Sequence, residues 1–327
     1  MPVYNEAKWI RRSVGAVLKQ DYPALEIIVA DGLSSDGTRE IVRDLCASFP
    51  NLTLVDNPKK YAAAGLNRAL EVARGDVIVR VDGHCEIAPD YVSRCVHHIQ
   101  EDHVQVVGGP LDTIGETPLS QTIALAQSSR FGVGNSAFRT CKNRSMLVDT
   151  VAFPGFTRDV IAKAGRFDEE LVRDQDDEFN YRVRKQGAKI LLAEDVHARY
   201  HARASLLSLW RQYFGYGYWK VRVMQRHPGQ MSLRQFVPPL FVLALLASGS
   251  LSPFLVMAQA SLALIFFAYV FACLAASAWT AAQYGWSHFL CLPIVFGILH
   301  ISYGLGFLVG LARFSFHRDA GATTESS

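Results

Sequence analysis

The chain has 327 residues and carries 33 Lys and Arg against 30 Asp and Glu, a net charge of +3. So small a charge excludes a nucleic-acid footprint. Its distribution excludes a purely soluble protein. From Phe236 to Ala312 there is no Lys, Arg, Asp or Glu, a stretch that belongs in a bilayer.

The opening MPVYNEAKWIRR has no apolar h-region, so no signal peptide is read there. A strand end at 1–6 leads into a helix over 7–19, with Ile10, Val14 and Val17 at helical spacing. Asp21-Tyr22-Pro23 breaks it. A buried strand over 26–30 ends in Asp31-Gly32-Leu33-Ser34-Ser35-Asp36-Gly37-Thr38, a loop dense in turn formers. A helix over 38–48, a strand over 52–55 and a helix over 61–74 follow, the last closed by Gly75. The apolar run at 77–81, interrupted once by Arg80, is the next strand. Strands alternating with helices at this spacing predict βαβ units and a mostly parallel sheet.

That last strand runs into Asp82-Gly83-His84-Cys85. A buried strand ending in polar, Gly-containing sequence is where open α/β sheets place ligands. An Asp-x-His pair there can hold a divalent cation, and the cation a diphosphate. The plainer alternative is a tight turn formed by Asp82. Cys85 reads as a soft ligand or a buried structural thiol. The six Cys lack CxxC spacing, which points to reduced thiols.

A helix over 91–101 and a strand over 104–108 come next, with His97, His98 and His103 read as solvated surface. Residues 111–150 look irregular, and 131–135 looks like a mobile loop. After a short helix at 159–165, four carboxylates lie within Asp174, Asp176, Asp177 and Glu178, before a helix over 178–186 and a strand over 190–193. One or two of these acids suit a helix cap. Four exceed what a cap requires, and their repulsion can raise one toward a useful pKa.

Pro2-Val3-Tyr4-Asn5-Glu6, the Asp31–Thr38 loop, Asn67, Asp82-Gly83-His84, and Gln175-Asp176-Asp177-Glu178-Phe179 with Arg182 and Gly187 resemble, in order and spacing, family 2 glycosyltransferases of the GT-A fold. The resemblance covers about residues 1–200. The tail His300-Ile301-Ser302-Tyr303-Gly304-Leu305-Gly306 is similar to the bacterial succinoglycan and exopolysaccharide-type glucosyltransferases. The resemblance implies that Pro2, Tyr4 and Glu6 line the nucleoside end of a nucleotide-sugar pocket. It implies that Asp31 hydrogen-bonds the uracil, that Asn67 belongs to the same pocket, and that Asp82 meets the ribose or sugar. Counted back from Arg182 and Gly187, the family's catalytic Asp falls on Asp176, with Asp177 the next candidate and Asp174 the third. The metal position of the family's Asp-x-Asp motif is His84, a departure that suits Mn²⁺ better than Mg²⁺. His201, in His197-Ala198-Arg199-Tyr200-His201, can approach the same cation or be part of a polar loop. A second departure lies at the start, where the family has apolar strand residues before its first motif. The first strand is therefore expected to be vestigial or, the favoured reading, the start to be misassigned, since a missing central strand exposes a sheet edge.

Residues 206–226 interleave Trp210, Tyr213 and Trp219 with Arg211, Lys220, Arg222 and Arg226. This suits a helix lying in the bilayer interface, or a helix facing a core. Apolar tracts at 237–257, 260–280 and 288–312 are each long enough to span. Arg222, Arg226 and Arg234 before them and Arg313 and Arg318 after them would put both flanks on the cytosolic side. That needs a re-entrant tract, most simply the first, or an external C-terminus. The expected organisation is a GT-A domain over 1–204, an amphipathic interface segment over 205–235, a membrane domain of two to three helices over 236–313 and a polar tail over 314–327. The processive polysaccharide synthases carry Gln-x-x-Arg-Trp in this region, which is absent here.

The expected function is therefore single-sugar transfer. An inverting hexosyltransferase, anchored in a bacterial inner membrane with its catalytic domain cytosolic, would move a sugar from a UDP-sugar, with glucose favoured. The acceptor would be a polyprenyl-diphosphate-linked saccharide in exopolysaccharide biosynthesis. A processive synthase and a non-catalytic sugar-nucleotide-binding subunit are the alternatives.

Overall fold

The structure, a computed structural model, describes residues 1–316. The rest of the expected polar tail, with Arg318, lies outside the described residues. The chain divides into two compact units, one formed by Met1–Thr113 with Ser136–His201, the other by Ile114–Asn135 with the residues from Ala202 onward.

In chain order the first half holds β1 (Pro2–Val3), α1 (Ile10–Leu18), β2 (Ile27–Asp31), α2 (Thr38–Ser48), β3 (Leu52–Asp56), α3 (Ala62–Val72), β4 (Val77–Val79), β5 (Cys85–Ile87), α4 (Tyr91–Glu101), β6 (Val106–Gly109) and β7 (Leu111–Ile114). Then come α5 (Pro118–Gln127), α6 (Arg130–Val133), α7 (Ala137–Thr140), β8 (Met146–Leu147), β9 (Ala152–Thr157), α8 (Arg158–Ala164), α9 (Gln175–Lys185), β10 (Ile190–Leu192) and β11 (Ala198–His201). The C-terminal helices are α10 (Leu206–Arg226), α11 (Leu233–Leu251), α12 (Val256–Tyr284) and α13 (Leu292–Phe316).

The first unit is mixed α/β. β1, β2 and β3 form a parallel sheet, in register Val3 to Asp31 and Ala30 to Val55. A second sheet runs β4-β9-β6-β10-β8, and a third β5-β11-β7. β6 and β10 are parallel, whereas β4, expected among parallel strands, pairs antiparallel with β9. β2 and β4 are not hydrogen-bonded to each other. An apolar cavity of about 370 Å³ separates them, lined by Ile28, Leu66, Val77 and Val79 among others. The two-residue β1 does not bridge the sheets. One core joins Val3, Ile10, Val14, Val29, Tyr91 and Val107; a second joins Phe156, Phe167, Phe179 and Leu192.

Several element ends differ from expectation for local reasons. α1 starts three residues late because the amides of Glu6 and Ala7 donate to Thr38 Oγ1 (2.8 Å) and Asp36 Oδ2 (3.0 Å) instead of entering a helix. α3 stops at Val72, not against Gly75, because Glu26 takes the amide of Gly75 at 2.9 Å. α9 starts at Gln175, so Asp176 and Asp177 are inside its first turn. The segment 111–150, expected to be irregular, contains α5. It opens with Pro118 behind a capping box between Thr117 and Ser120.

The second unit is helical. Among the described residues, α11, α12 and α13 are long and apolar enough to cross a membrane. Their outward rows, Leu264, Phe267, Phe271 and Trp279 on α12, are exposed, which in water would be an aggregation-prone surface and in lipid is the expected one. α10 lies along α13 at backbone-close range: a Cβ on Gly217 would meet Tyr303 O at 2.0 Å, and one on Gly306 would meet Phe214 O at 2.1 Å. Small residues let membrane helices approach this closely. Of the four basic residues on α10, Lys220 is only 5% exposed, while Arg211 is exposed. Residues 131–135, expected to be a mobile loop, include most of α6. Phe131 O is held by His300 Nε2 (2.9 Å), whose Nδ1 meets Tyr269 Oη (2.8 Å).

Candidate active site

The sequence motifs converge because their loops are laced together. Asn5, at φ +54, donates its amide to Ser34 Oγ (2.9 Å) and accepts from the Ser35 amide (3.0 Å). Asp36 accepts from the hydroxyl and amide of Thr38 (2.6 and 3.1 Å) as well as from Ala7. Burial pushes the Asp36 carboxyl up, but these hydrogen bonds outweigh it and hold it below the usual range. The Tyr4 ring lies over Gly32, where a Cβ would meet it at 2.9 Å, yet Tyr4 remains 43% exposed. Pro2 is buried against Gly65.

Two of the expected pocket residues are already engaged. Asp31 is 0% exposed. It accepts from Ser34 Oγ (2.6 Å), the Ser34 amide (3.1 Å) and Arg39 (3.1 Å), and Arg39 in turn reaches Asp56 (2.5 Å). Asn67, 3% exposed, donates to Phe167 O (2.9 Å) and Glu169 (2.8 Å) and accepts from the Phe167 amide (2.9 Å). It ties α3 to the segment that leads into α9. Arg39 and Glu169 were not picked out from the sequence. An Arg one position after Thr38, facing back across its own turn, was the available signal.

At the end of β4 the side chain that interrupted the apolar run is the organiser. Arg80 is 8% exposed and grips Asp82 through two bonds, Nε to Oδ1 (3.0 Å) and Nη2 to Oδ2 (3.2 Å). Its Nη1 lies 3.7 Å from Asp176 Oδ2. Burial raises the Asp82 carboxyl, but the charge and hydrogen bonds of Arg80 outweigh it and leave the group below the usual range. Ser13 Oγ, buried, donates to the carbonyls of Asp82 (3.0 Å) and Cys85 (2.6 Å) and fixes the turn between β4 and β5. Cys85 is fully buried and its thiol is pushed well up by burial, the structural alternative.

The four acids separate by environment. Glu178 is buried and bidentate to Arg182 (2.7 and 3.0 Å), which also donates to the carbonyls of Ala164 and Arg166. That pair is structural. Asp174 is the residue before the helix, at φ +61. Asp176 is 45% exposed, with Oδ1 accepting from the Asp177 amide (3.0 Å) and Oδ2 facing Arg80. Asp176 thus lies against the guanidinium that grips Asp82.

The cation candidates are partly committed. His84 Nδ1 is 2.8 Å from Glu6 Oε1. Burial lowers the His84 pKa, but Glu6 more than reverses this and pushes it up to about 9. In that form the ring is a donor and must lose its proton to ligate. His201 stacks on Trp9 and bonds Glu86 through Nε2 (2.7 Å), while its Nδ1 is buried without a hydrogen-bond partner. The β5–β11 register pairs Tyr200 with Cys85, so His201 follows opposite His84. Among the described residues no three His, Cys, Asp or Glu side chains form a metal cluster by themselves. Asp82, His84 and His201 therefore do not complete a site among themselves, and a cation here would need further ligands, such as the oxygens of a bound diphosphate.

A family model, Glycosyl transferase family 2, matches residues 1–164. The chain is 32% identical over 249 residues to the succinoglycan biosynthesis protein ExoA of Rhizobium meliloti (strain 1021), covering 73% of each chain. It is 24% identical over 323 residues to a dolichyl N-acetyl-alpha-D-glucosaminyl phosphate diacetamido-dideoxy-glucuronosyltransferase of Methanococcus voltae, covering 96% of each. Among solved structures it resembles the mannosyltransferase PcManGT of Pyrobaculum calidifontis, determined with GDP-Man and Mn²⁺. The TM-score is 0.59 and the identity 20%, over 94% of this chain and 85% of that one, a likeness of fold. The family model spans half of the chain and the succinoglycan relative nearly three quarters of it, and the chain belongs to glycosyl transferase family 2.

Proposed function

We propose that this membrane-associated glycosyltransferase transfers one sugar, glucose, from a UDP-sugar to a polyprenyl-diphosphate-linked saccharide, with inversion. It would do so on the cytosolic face of a bacterial inner membrane, in exopolysaccharide biosynthesis. The observation that carries the reading is Asp176 Oδ2 at 3.7 Å from the guanidinium that grips Asp82. A half-exposed carboxylate faces the edge assigned to the donor sugar. The acceptor hydroxyl oxygen attacks the anomeric carbon as its bond to the diphosphate breaks. UDP leaves, and the hydroxyl proton passes to the Asp176 carboxylate. Asp177 is the neighbouring candidate. Tyr4, Pro2 and Glu6 line the nucleoside end. Asp31 would hydrogen-bond the uracil, its carboxylate held in place by Ser34 and Arg39, and Asn67 belongs to the same pocket, braced against the 167–169 segment. A divalent cation held by Asp82, His84 and His201 would neutralise charge on the leaving diphosphate. The names of two relatives, one for succinoglycan and one for a dolichyl-linked sugar, support the acceptor class. So do the three apolar helices.

The test is UDP release from UDP-glucose by detergent-purified protein, with and without a bacterial polar lipid extract. The expected result is lipid-dependent release, with glucose recovered in the lipid fraction as a single added residue. No release above the lipid-free rate would favour a binding subunit. A long product would favour a processive synthase.

A further inference from the structure

We propose that Arg80 is a positioning residue for sugar transfer: one guanidinium shared by Asp82 and Asp176 fixes the acceptor-side base relative to the donor edge. The inference rests on Asp176 being the base. Arg80 sits at the end of β4 with its amide donating to Pro154 O (3.0 Å), so its stem is anchored to β9. Its side chain is 8% exposed against 45% for Asp176. A cation that buried needs paired carboxylates. Two of its nitrogens are bonded to Asp82 and the third faces Asp176. The planar fork of Arg can serve two carboxylates at once, which the point charge of Lys cannot. Asp176 is held from its other side by the Asp177 amide, so its carboxylate has one hydrogen bond, one ion-pair contact and a solvent-facing edge. At 3.7 Å the Arg80 contact is an ion pair and not a hydrogen bond. It orients Asp176 without occupying the lone pair that would take a proton.

A double-mutant cycle separates this from a structural role. Arg80→Lys keeps the charge and loses the fork. In the wild-type background it should lower kcat about 10²-fold, the size expected for a reacting group displaced by about 1 Å, with donor KM changed less than about threefold. In an Asp176→Glu background, where the carboxylate is already displaced, the same substitution should cost less than about threefold. Equal fold-losses in the two backgrounds, or a loss carried by donor KM, would overturn the proposal. Arg80→Gln, which keeps donors but drops the charge, runs the same cycle if Arg80→Lys melts early, with the same two outcomes. Asp176→Asn is the control for the underlying reading. If it stays active, the base assignment and this inference fall together. If it is inactive while Arg80→Lys acts equally in both backgrounds, only this inference falls.

Discussion

His84 Nδ1 and Glu6 Oε1 are 2.8 Å apart, so the first motif of the chain holds the ring that ends the Asp82-Gly83-His84 turn. Any cation must therefore compete with an internal hydrogen bond and with Arg80 on Asp82. Nitrogen ligands favour Mn²⁺ over Mg²⁺, so Mn²⁺ should support transfer better at equal concentration. Excess chelator should abolish transfer. His84→Asp would set a third carboxylate beside Glu6 and Asp82. It should lower the melting temperature of cation-free protein, enlarge the upward shift given by Mg²⁺, and move the preference toward Mg²⁺. Thermal unfolding with each cation reads this without substrate. Identical shifts in wild type and variant, or full transfer in chelator, would refute it.

Asp176→Asn keeps shape and hydrogen bonding but cannot accept a proton. Turnover should fall about 10²–10⁴-fold, with UDP binding measured by calorimetry largely kept. Asp177→Asn should cost less. Retention of more than about a tenth of wild-type turnover by Asp176→Asn would be too small a loss for a general base.

The parallel units and the motif loops were legible in the sequence because they are local: turn formers after an apolar run, helical spacing between. What could not be read was which polar atoms those loops consume on each other. Asp31 looks like a ligand residue in one dimension, and in three it also accepts from Ser34 and Arg39. Arg80 was visible only as an interruption, although a charge inside a buried strand always demands a partner. β5, β9 and β11 pair across long separations and carry little periodicity of their own. α5 did have a signal, Thr117 before Pro118. Its N3 residue is Ser120, outside the usual Glu or Gln pattern.

His98, expected on the solvated surface, is instead clasped between Asp102 (2.6 Å) and Asp195 (2.8 Å), with Arg94 also on Asp195 (2.7 Å) and the His97 ring alongside. Burial lowers its pKa, but the two carboxylates outweigh that and raise it. Asp195 goes the other way, with burial raising it and His98 and Arg94 holding it below the usual range. A raised imidazole stabilises the fold fully below its ordinary pKa near 6.5 and loses that contribution as pH climbs through its folded value. The carboxylate contributes fully above its ordinary pKa and loses it as pH falls through its lowered value. The clasp is therefore strongest between about pH 4 and 6.5. His98→Gln should flatten the fall in melting temperature above that window. An unchanged slope would mean the ring is not titrating there.

The last prediction concerns α10 and α13. Gly297 and Gly306 lie nine positions apart by number on α13. A Cβ on Gly297 meets nothing within 4 Å, whereas one on Gly306 meets Phe214 O at 2.1 Å and Phe214 C at 2.9 Å. In a helix Ala is favoured over Gly by about 1 kcal/mol, so propensity alone makes both substitutions stabilising. At Gly297 that term acts unopposed, and Gly297→Ala should hold or raise the melting temperature in detergent. At Gly306 the obstacle is the backbone of α10, which cannot rotate away as a side chain would. The two helices must separate, giving up the dispersion contacts that hold them where no hydrophobic drive separates helix from lipid. Overpacking of this kind costs about 1–3 kcal/mol, more than the propensity gain, so Gly306→Ala should melt lower than wild type. Gly217, where a Cβ would meet Tyr303 O at 2.0 Å across the same contact, offers the second arm. Once the helices have parted for one methyl, the other enters at reduced cost, so the Gly217→Ala and Gly306→Ala losses should add to less than their sum. Equal melting temperatures for the Gly297 and Gly306 variants would show that the helices are not packed at this distance.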